Sequence, residues 1–250
     1  MIELKSPSQL NGIRKASRIL VDILAGLRKM VKPGIATSSL DEWARKQIIA
    51  ANARCAFLGY KGFPKSICTS VNEEIVHGIP GERILKEGDI ISIDAGVELD
   101  GYFSDAAVTV AVGQITSQAV KLIDVTRKAL SKAIELAAIG CRVSDISCAI
   151  EECAKENDFA VIREFVGHGI GLNLHEDPQI PNFGQRGMGV RLKEGMVLAI
   201  EPMISAGKPD MEVLSDGWTA VTKDRSLSAH FEHTVAITGD GPEILTEGIE

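Results

Sequence analysis

The sequence predicts an α+β fold in which two similar halves surround a largely antiparallel sheet, and three observations predict it. Helical and strand periodicities fall in segregated blocks, as α+β chains do. The blocks run helices then strands, twice, along 250 residues. Two short phrases also recur at nearly one spacing. LKEGDIISID (Leu85–Asp94) returns as LKEGMVLAIE (Leu192–Glu201), an offset of 107 (94 to 201). Gly34-x-x-x-Ser38-x-Leu40 returns as Gly140-x-x-x-Ser144-x-Ile146, an offset of 106 (34 to 140). LKEG alone could be a common turn before a strand, but two matches at one period point to duplication. The expected halves are about residues 1–115 and 116–250 of a single domain spanning 1–250.

The elements follow in order. From Ser8 to Met30, Leu10, Ile13, Ile19, Ile23, Leu24 and Leu27 recur at helical spacing, and Pro33-Gly34 stops the run. A second helix follows Thr37-Ser38, with Leu40, Trp43, Ile48 and Ile49 as its apolar positions. ICTSVNEEIVHGIP and GDIISIDAGVELDGYFSDAAVTVAVG then read as strands and turns. The helical period resumes near Ser117 through about Glu156, and from Ala160 strands and glycine turns return. In ISIDAGVELDGYFSDAAV, alternating residues flank Asp100-Gly101, a strong hairpin signal because a type I′ turn needs positive φ at both central positions. That turn sets Leu99 opposite Tyr102, Asp94 opposite Ala107 and Asp105 opposite Gly96.

Composition narrows the function classes. A chain this long can bury roughly three quarters of its unfolded surface, and 45% hydrophobic with 24% charged residues is ordinary for a globular protein. A net charge of −7 gives no electrostatic footprint for nucleic acid or anionic membrane, and no nucleic-acid motif occurs. Five cysteines without a Cys-x-x-Cys pair argue against a disulfide framework and a thiolate zinc site. MIELKSPSQLNGIRKASRIL lacks the basic and apolar regions of a signal peptide, and nowhere do about 18 apolar residues run uninterrupted. The expectation is an unprocessed cytoplasmic protein.

The carboxylates carry the chemistry. Side chains alternate faces along a strand, so Asp94 and Asp105 share one face of the hairpin as diagonal neighbours about 7–8 Å apart. Like charges on a buried face are costly unless something positive lies between them, and a divalent cation is the simplest such partner. Alone, the pair could equally be two solvated aspartates. The repeat, however, sets Glu201 at the position of Asp94 in the other half, and Glu232 interrupts an apolar strand run in SAHFEHTVAI. Among five histidines, His168 and His175 bracket the glycine-rich turn GHGIGLNLHEDP and His77 sits in EEIVHGIP. Oxygen ligands with one imidazole suit Mn²⁺, Fe²⁺, Co²⁺ or Zn²⁺, and more carboxylates than one ion needs imply two ions. Other motifs fail. His175-Glu176 lacks the second histidine of His-Glu-x-x-His, the glycines of GHGIG do not match a dinucleotide fingerprint, and no Walker motif occurs.

Taken together, SVNEEIVHGIP, IDAGVELDGYFSDAAVT, FVGHGIGLNLHEDPQIPNF, LKEGMVLAIEPM and DGWTAVTKDRSLSAHFEHTV resemble the type I methionine aminopeptidases over essentially the whole chain. The resemblance implies the pita-bread fold, with pseudo-two-fold halves forming one catalytic domain. It implies that Asp94, Asp105, His168, Glu201 and Glu232 bind two divalent ions, Asp105 and Glu232 bridging them. His77 and His175 would contact substrate and help stabilise the tetrahedral intermediate, and Glu201 would be the general base. His233 and His230 lie beside Glu232, and His233, which matches the family pattern, would have a structural or supporting role. Tyr60, Phe63, Cys68 and Trp218 match the methionine pocket, whose plainer reading is core packing; Phe57 and Leu174 depart from residues common there. The implied reaction is removal of an initiator methionine before a small residue, a metal-bridging water attacking the first peptide carbonyl. Implied partners are nascent polypeptide N-termini and the ribosome, for a chain acting as a monomer. The bulky Ile2 implies that Met1 is retained.

The Xaa-Pro peptidases usually add a substantial N-terminal domain, and only 76 residues precede His77. Type II methionine aminopeptidases carry an insertion between the two glutamates, which stand 31 residues apart here (201 to 232). A non-catalytic binding protein on the same fold would have lost ligands, and all five positions are filled.

Overall fold

Residues 2–249 are described by a computed structural model; Met1, with its expected retention, lies outside them. The first periodic run is α1 (Pro7–Met30), which starts ahead of Ser8 because Ser6 caps it. Ser6 Oγ accepts from Gln9 N–H while Gln9 Oε1 accepts from Ser6 N–H, satisfying two orphan donors reciprocally. In α2 (Thr37–Ala50), Leu40, Ala44 and Ile48 are fully buried, but Ile49 is 59% exposed. Its expected inward position is corrected: Leu40, Ala44 and Ile48 stack at four-residue spacing, and Ile49 lies about 100° away. The block from Ser117 to Glu156 is two helices, α3 (Ser117–Glu135) and α4 (Val143–Lys155).

The strands that frame the site are β1 (Ile67–Val71), β2 (Ile90–Leu99), β3 (Tyr102–Ala111), β4 (Val166–Gly169), β5 (Glu176–Pro181), β6 (Val197–Ile200), β7 (His233–Thr238) and β8 (Gly241–Ile244). Asp100 and Gly101 take φ values of 51° and 82°, as the turn requires. The expected register follows, from Leu99 opposite Tyr102 to Asp94 opposite Ala107 and Gly96 opposite Asp105. Along its other edge β2 pairs with β1, then with Arg54–Cys55. A five-stranded sheet runs β8-β7-β6-β4-β5, and all pairs are antiparallel.

The expected central sheet is thus divided by a seam. Along it, β3 faces residues 230–234 at every second position. Ala107 and Glu232 exchange backbone bonds, whereas the other two contacts use hydroxyls. Thr234 Oγ1 accepts from Asp105 N–H and donates to Asp105 C=O, and Thr109 Oγ1 does the same for His230. Threonine hydroxyls thus stand in for ladder bonds on either side of the Ala107–Glu232 bridge.

Alternation then separates core from site. Ile91, Ile93, Ala95 and Val97 of β2, Ala106 and Val108 of β3, Leu198 and Ile200 of β6 and Val235 and Ile237 of β7 pack with the four helices in one core. The intervening residues face the opposite side, where Cys68, Val197, Ala199 and Ala236 join a second apolar cluster with Phe57 and Phe63.

The repeated phrases make the same bonds in both copies. Gly34 N–H donates to Leu85 C=O and Leu85 N–H to Ile35 C=O; Gly140 N–H donates to Leu192 C=O and Leu192 N–H to Cys141 C=O. Likewise Thr37 N–H donates to Arg83 C=O and Val143 N–H to Val190 C=O. Each copy of the helix-entry loop is tied to the turn that launches its strand, β2 or β6, and so fixes where Asp94 and Glu201 emerge.

Candidate functional site

Cys68 of β1, Asp94 of β2, Ala107 of β3 and Glu232 at the seam form one row of directly opposed residues. Ala107 contributes only a methyl group, which leaves room for the carboxyls of Asp94 and Glu232 to lean toward each other. Asp105 joins diagonally on the same face, opposite Gly96. Glu201 follows β6, and His168 of β4 is paired with Ala199 of that strand. His168 Nε2 lies 3.5 Å from Glu201 Oε1 and 4.0 Å from Asp105 Oδ2. One donor atom each from Asp105, His168 and Glu232 lie within 4.8 Å of one another. The structure therefore brings Asp94, Asp105, His168, Glu201 and Glu232 to one cavity.

The imidazole is oriented by its backbone. His168 Nδ1 sits 2.9 Å from Gly169 C=O, which can only accept, so the proton belongs on Nδ1 and Nε2 offers its lone pair to the carboxylates. His230, 1% exposed, places Nε2 3.6 Å from Glu201 Oε2. Burial makes these rings neutral: His77 and His168 fall to about 4 and His230 to about 3, the latter with a small further push from His77. His175 falls to about 3, first by burial and then by His168, Lys61 and His77.

The carboxyls move the other way. Burial raises Asp94 to about 7, partly opposed by a hydrogen bond from Asp105. Asp105 is raised well above its usual range by burial, then by Glu232 and Asp94. Glu201 and Glu232 are raised by burial first and then by neighbouring negative charge. Asp94 Oδ1, Asp105 Oδ1 and Glu232 Oε1 are buried without any hydrogen-bond partner among the described residues. Orphaned acceptors that face one another without a donor are what a cation would satisfy, so this donor set fits divalent metal.

Apolar residues line the rest of a cavity of about 140 Å³: Phe57, Tyr60, Phe63, Cys68, Leu174 and Trp218, with His77 and His175. The Phe63 and Trp218 rings meet edge to face at 5.1 Å. His175 stacks on Tyr60 at 5.1 Å and lies 4.2 Å from His168. His77 is held at a φ of 61°, between the edges of Phe165 and Trp218. Gly96 admits Phe57, since a Cβ there would stand 2.7 Å from Phe57 Cε1. Cys68 is no nucleophile: burial and then Asp94, Asp105 and Glu232 hold its thiol well above the usual range.

Lys61 and Val76 also line the cavity, and sequence reasoning missed both. Their only signal was adjacency to Tyr60 and His77. His233, expected in a structural or supporting role, sets Nδ1 2.8 Å from Thr246 Oγ1. A larger hollow of about 560 Å³, lined by Val143, Ser147, Pro178 and Pro181, contains Asp177 but no convergent set of acids and histidines. The smaller cavity has the chemistry.

A family model described as metallopeptidase family M24 matches residues 11–239. The chain belongs to that family. Within it, methionine aminopeptidase 1 of Bacillus subtilis is 52% identical over 246 residues, covering 98% of this chain and 99% of the relative. The crystal structure of methionine aminopeptidase from Thermotoga maritima superposes with a TM-score of 0.97 at 46% identity, covering 98% and 99% of the two chains. Prolidase from Pyrococcus furiosus shares the fold at a TM-score of 0.79 and 22% identity, and this chain covers 65% of it. The fold is the pita-bread fold of the M24 peptidases, and the chain, like its family, uses divalent metal. No helix among the described residues is long and apolar enough to cross a membrane.

Proposed function

We propose that the chain is a methionine aminopeptidase that removes the initiator methionine from nascent polypeptides when the second residue is small. The observation that carries the reading is the set of partnerless buried carboxylate oxygens at one wall of a cavity whose other walls are aromatic and aliphatic. One end suits charge and the other suits a methionine side chain. Asp94, Asp105, His168, Glu201 and Glu232 would hold two divalent ions, drawn from Co, Mn, Fe or Zn. When bound, such ions supply Lewis acidity and an acidified water.

The chain's own residues do the rest. Glu201 takes the proton of the attacking water and returns it to the departing amine, and His230 and His168 border its two oxygens. His77 and His175 are neutral at pH 7, so each ring offers one N–H to the peptide group and to the oxyanion that forms there. Tyr60, Phe63, Cys68, Trp218, Phe57 and Leu174 seat the thioether chain and exclude water. The neutral thiol of Cys68 belongs to this apolar wall. We read the protein as a cytoplasmic monomer that meets its substrates near the ribosome; light scattering and ribosome cosedimentation test those two points.

The decisive experiment is release of methionine from a Met-Ala-Ser peptide by the metal-loaded enzyme. Activity should fall at least about 100-fold in Asp105→Asn, the scale of losing a positioned catalytic group. An Asp105→Asn enzyme with undiminished activity would refute the ligand assignment.

A further inference from the structure

The loop that presents His175 is tied to the chain's N-terminal segment through a largely buried ion pair. Lys5, 5% exposed, directs Nζ to Glu176 Oε2 at 2.5 Å. The second oxygen, Oε1, accepts the backbone N–H groups of Leu172 at 2.8 Å and Asn173 at 2.9 Å. The carboxylate next to His175 thus closes its own loop on one side and holds Lys5 on the other.

Lys5 is fixed in turn. Its N–H donates to Gly195 C=O at 2.7 Å, in the repeated turn that launches β6, and Nζ also reaches Glu3 C=O at 3.3 Å. The loop's start is pinned as well, because Phe103 N–H donates to Gly171 C=O at 2.8 Å. Lys5 packs so closely on that turn that a Cβ at Gly171 would stand 2.6 Å from Lys5 Cε. The His175 ring beyond this anchor rests on Tyr60 and His168 and makes no hydrogen bond of its own among the described residues. Its placement therefore depends on the loop behind it.

We infer that Lys5 and Glu176 are positioning residues that set the His175 ring against the scissile peptide, an inference that rests on the role proposed above for His175. A buried carboxylate stripped of its ammonium partner turns toward water or new donors, and the loop from 171 to 176 moves with it. A displacement of the order of 1 Å at a catalytic group costs about 100-fold in rate. The loss should appear in kcat, because a hydrogen bond made to the developing oxyanion acts in the transition state. Asp94, Asp105, Glu201 and Glu232 lie on other elements, and His168 is held outside the loop by its pairing with Ala199 and its Nδ1 bond to Gly169 C=O, so metal affinity should hold.

The experiment compares Lys5→Met, Glu176→Gln, His175→Ala and the double variant Lys5→Met/His175→Ala, all loaded with Mn²⁺, on Met-Ala-Ser. Lys5→Met should lower kcat about 10- to 100-fold while KM changes less than about three-fold. Amide exchange at residues 172–176 should rise, and the Mn²⁺ affinity measured by calorimetry should stay within about two-fold. Adding Lys5→Met to His175→Ala should cost nothing further, since a residue that acts through the ring has no effect once the ring is gone. Glu176→Gln keeps Oε1 as an acceptor for the loop and tests the ion pair in a chain that retains the turn; it should lose kcat in the same sense. Additive losses in the double variant, or unchanged kcat in Lys5→Met and Glu176→Gln beside an impaired His175→Ala, would overturn the positioning role alone. A fully active His175→Ala would overturn the role of His175 and the inference with it.

Discussion

Stripping the divalent ions with a chelator should make the protein lose stability as pH rises above about 6.5, and the site's titrations give the reason. A carboxyl raised in the folded state keeps a proton that the unfolded chain has released, so stability falls with rising pH between the two pKa values. Asp94 spans 3.8 to about 7, and Asp105, Glu201 and Glu232 are also raised. The site histidines act oppositely. His77, His168, His175 and His230 lie at about 4, 4, 3 and 3 in the fold against 6.5 in the unfolded chain. Between those values the unfolded state binds the extra proton, and stability rises with pH.

From about pH 4.5 to 6.5 the four acids and four histidines therefore oppose each other. Above 6.5 the histidines are neutral in both states and only the acids act. A fully retained proton costs about 1.4 kcal/mol per pH unit, so Asp94, at about 7, removes somewhat under about 1 kcal/mol above pH 6.5, and the other raised acids act in the same direction. Urea unfolding of the chelated protein across pH 5.5 to 8.5 reads this directly. Calorimetry of Mn²⁺ binding at pH 7.5, in two buffers of different ionisation enthalpy, should show release of at least about one proton per chain. Stability that is flat or rising from pH 6.5 to 8.5, with no proton release, would refute the convergence of buried acids.

Three further outcomes follow. Glu201→Gln should lower kcat for methionine release by about 100-fold or more, since it removes the proton acceptor; steady-state kinetics check it. Thr234→Val should destabilise the protein by about 1–3 kcal/mol, because the buried Asp105 N–H loses its acceptor at the seam; denaturant unfolding measures that. Gly96→Ala should push Phe57 into the cavity and raise KM for Met-Ala-Ser several-fold with a smaller effect on kcat, on the order of 1–2 kcal/mol in kcat/KM.

The parts legible in the sequence share one property: their geometry is set locally. Asp100-Gly101 admits one tight turn, and from it the register that joins Asp94 to Ala107 follows without tertiary information. The repeat placed Glu201 because Leu192 and Gly195 rebuild the turn of Leu85 and Gly88. The break between α3 and α4 was present in the repeated glycine but hidden by a continuous helical period. The illegible parts depend on partners distant in sequence. No local pattern marks Thr234 and Thr109 as seam residues, because their hydroxyls replace ladder bonds only once β3 meets residues 230–234. Lys61 enters the cavity through a short helical turn at Tyr60–Gly62, and Lys5 finds Glu176 across 171 residues of chain.

The most direct test of the central claim is titration of chelated, inactive protein with Mn²⁺ or Co²⁺ under anaerobic conditions, following methionine release against bound metal. The account predicts negligible release without metal and recovery that saturates as no more than two ions per chain bind at the cavity. Full release in the presence of excess chelator would contradict it.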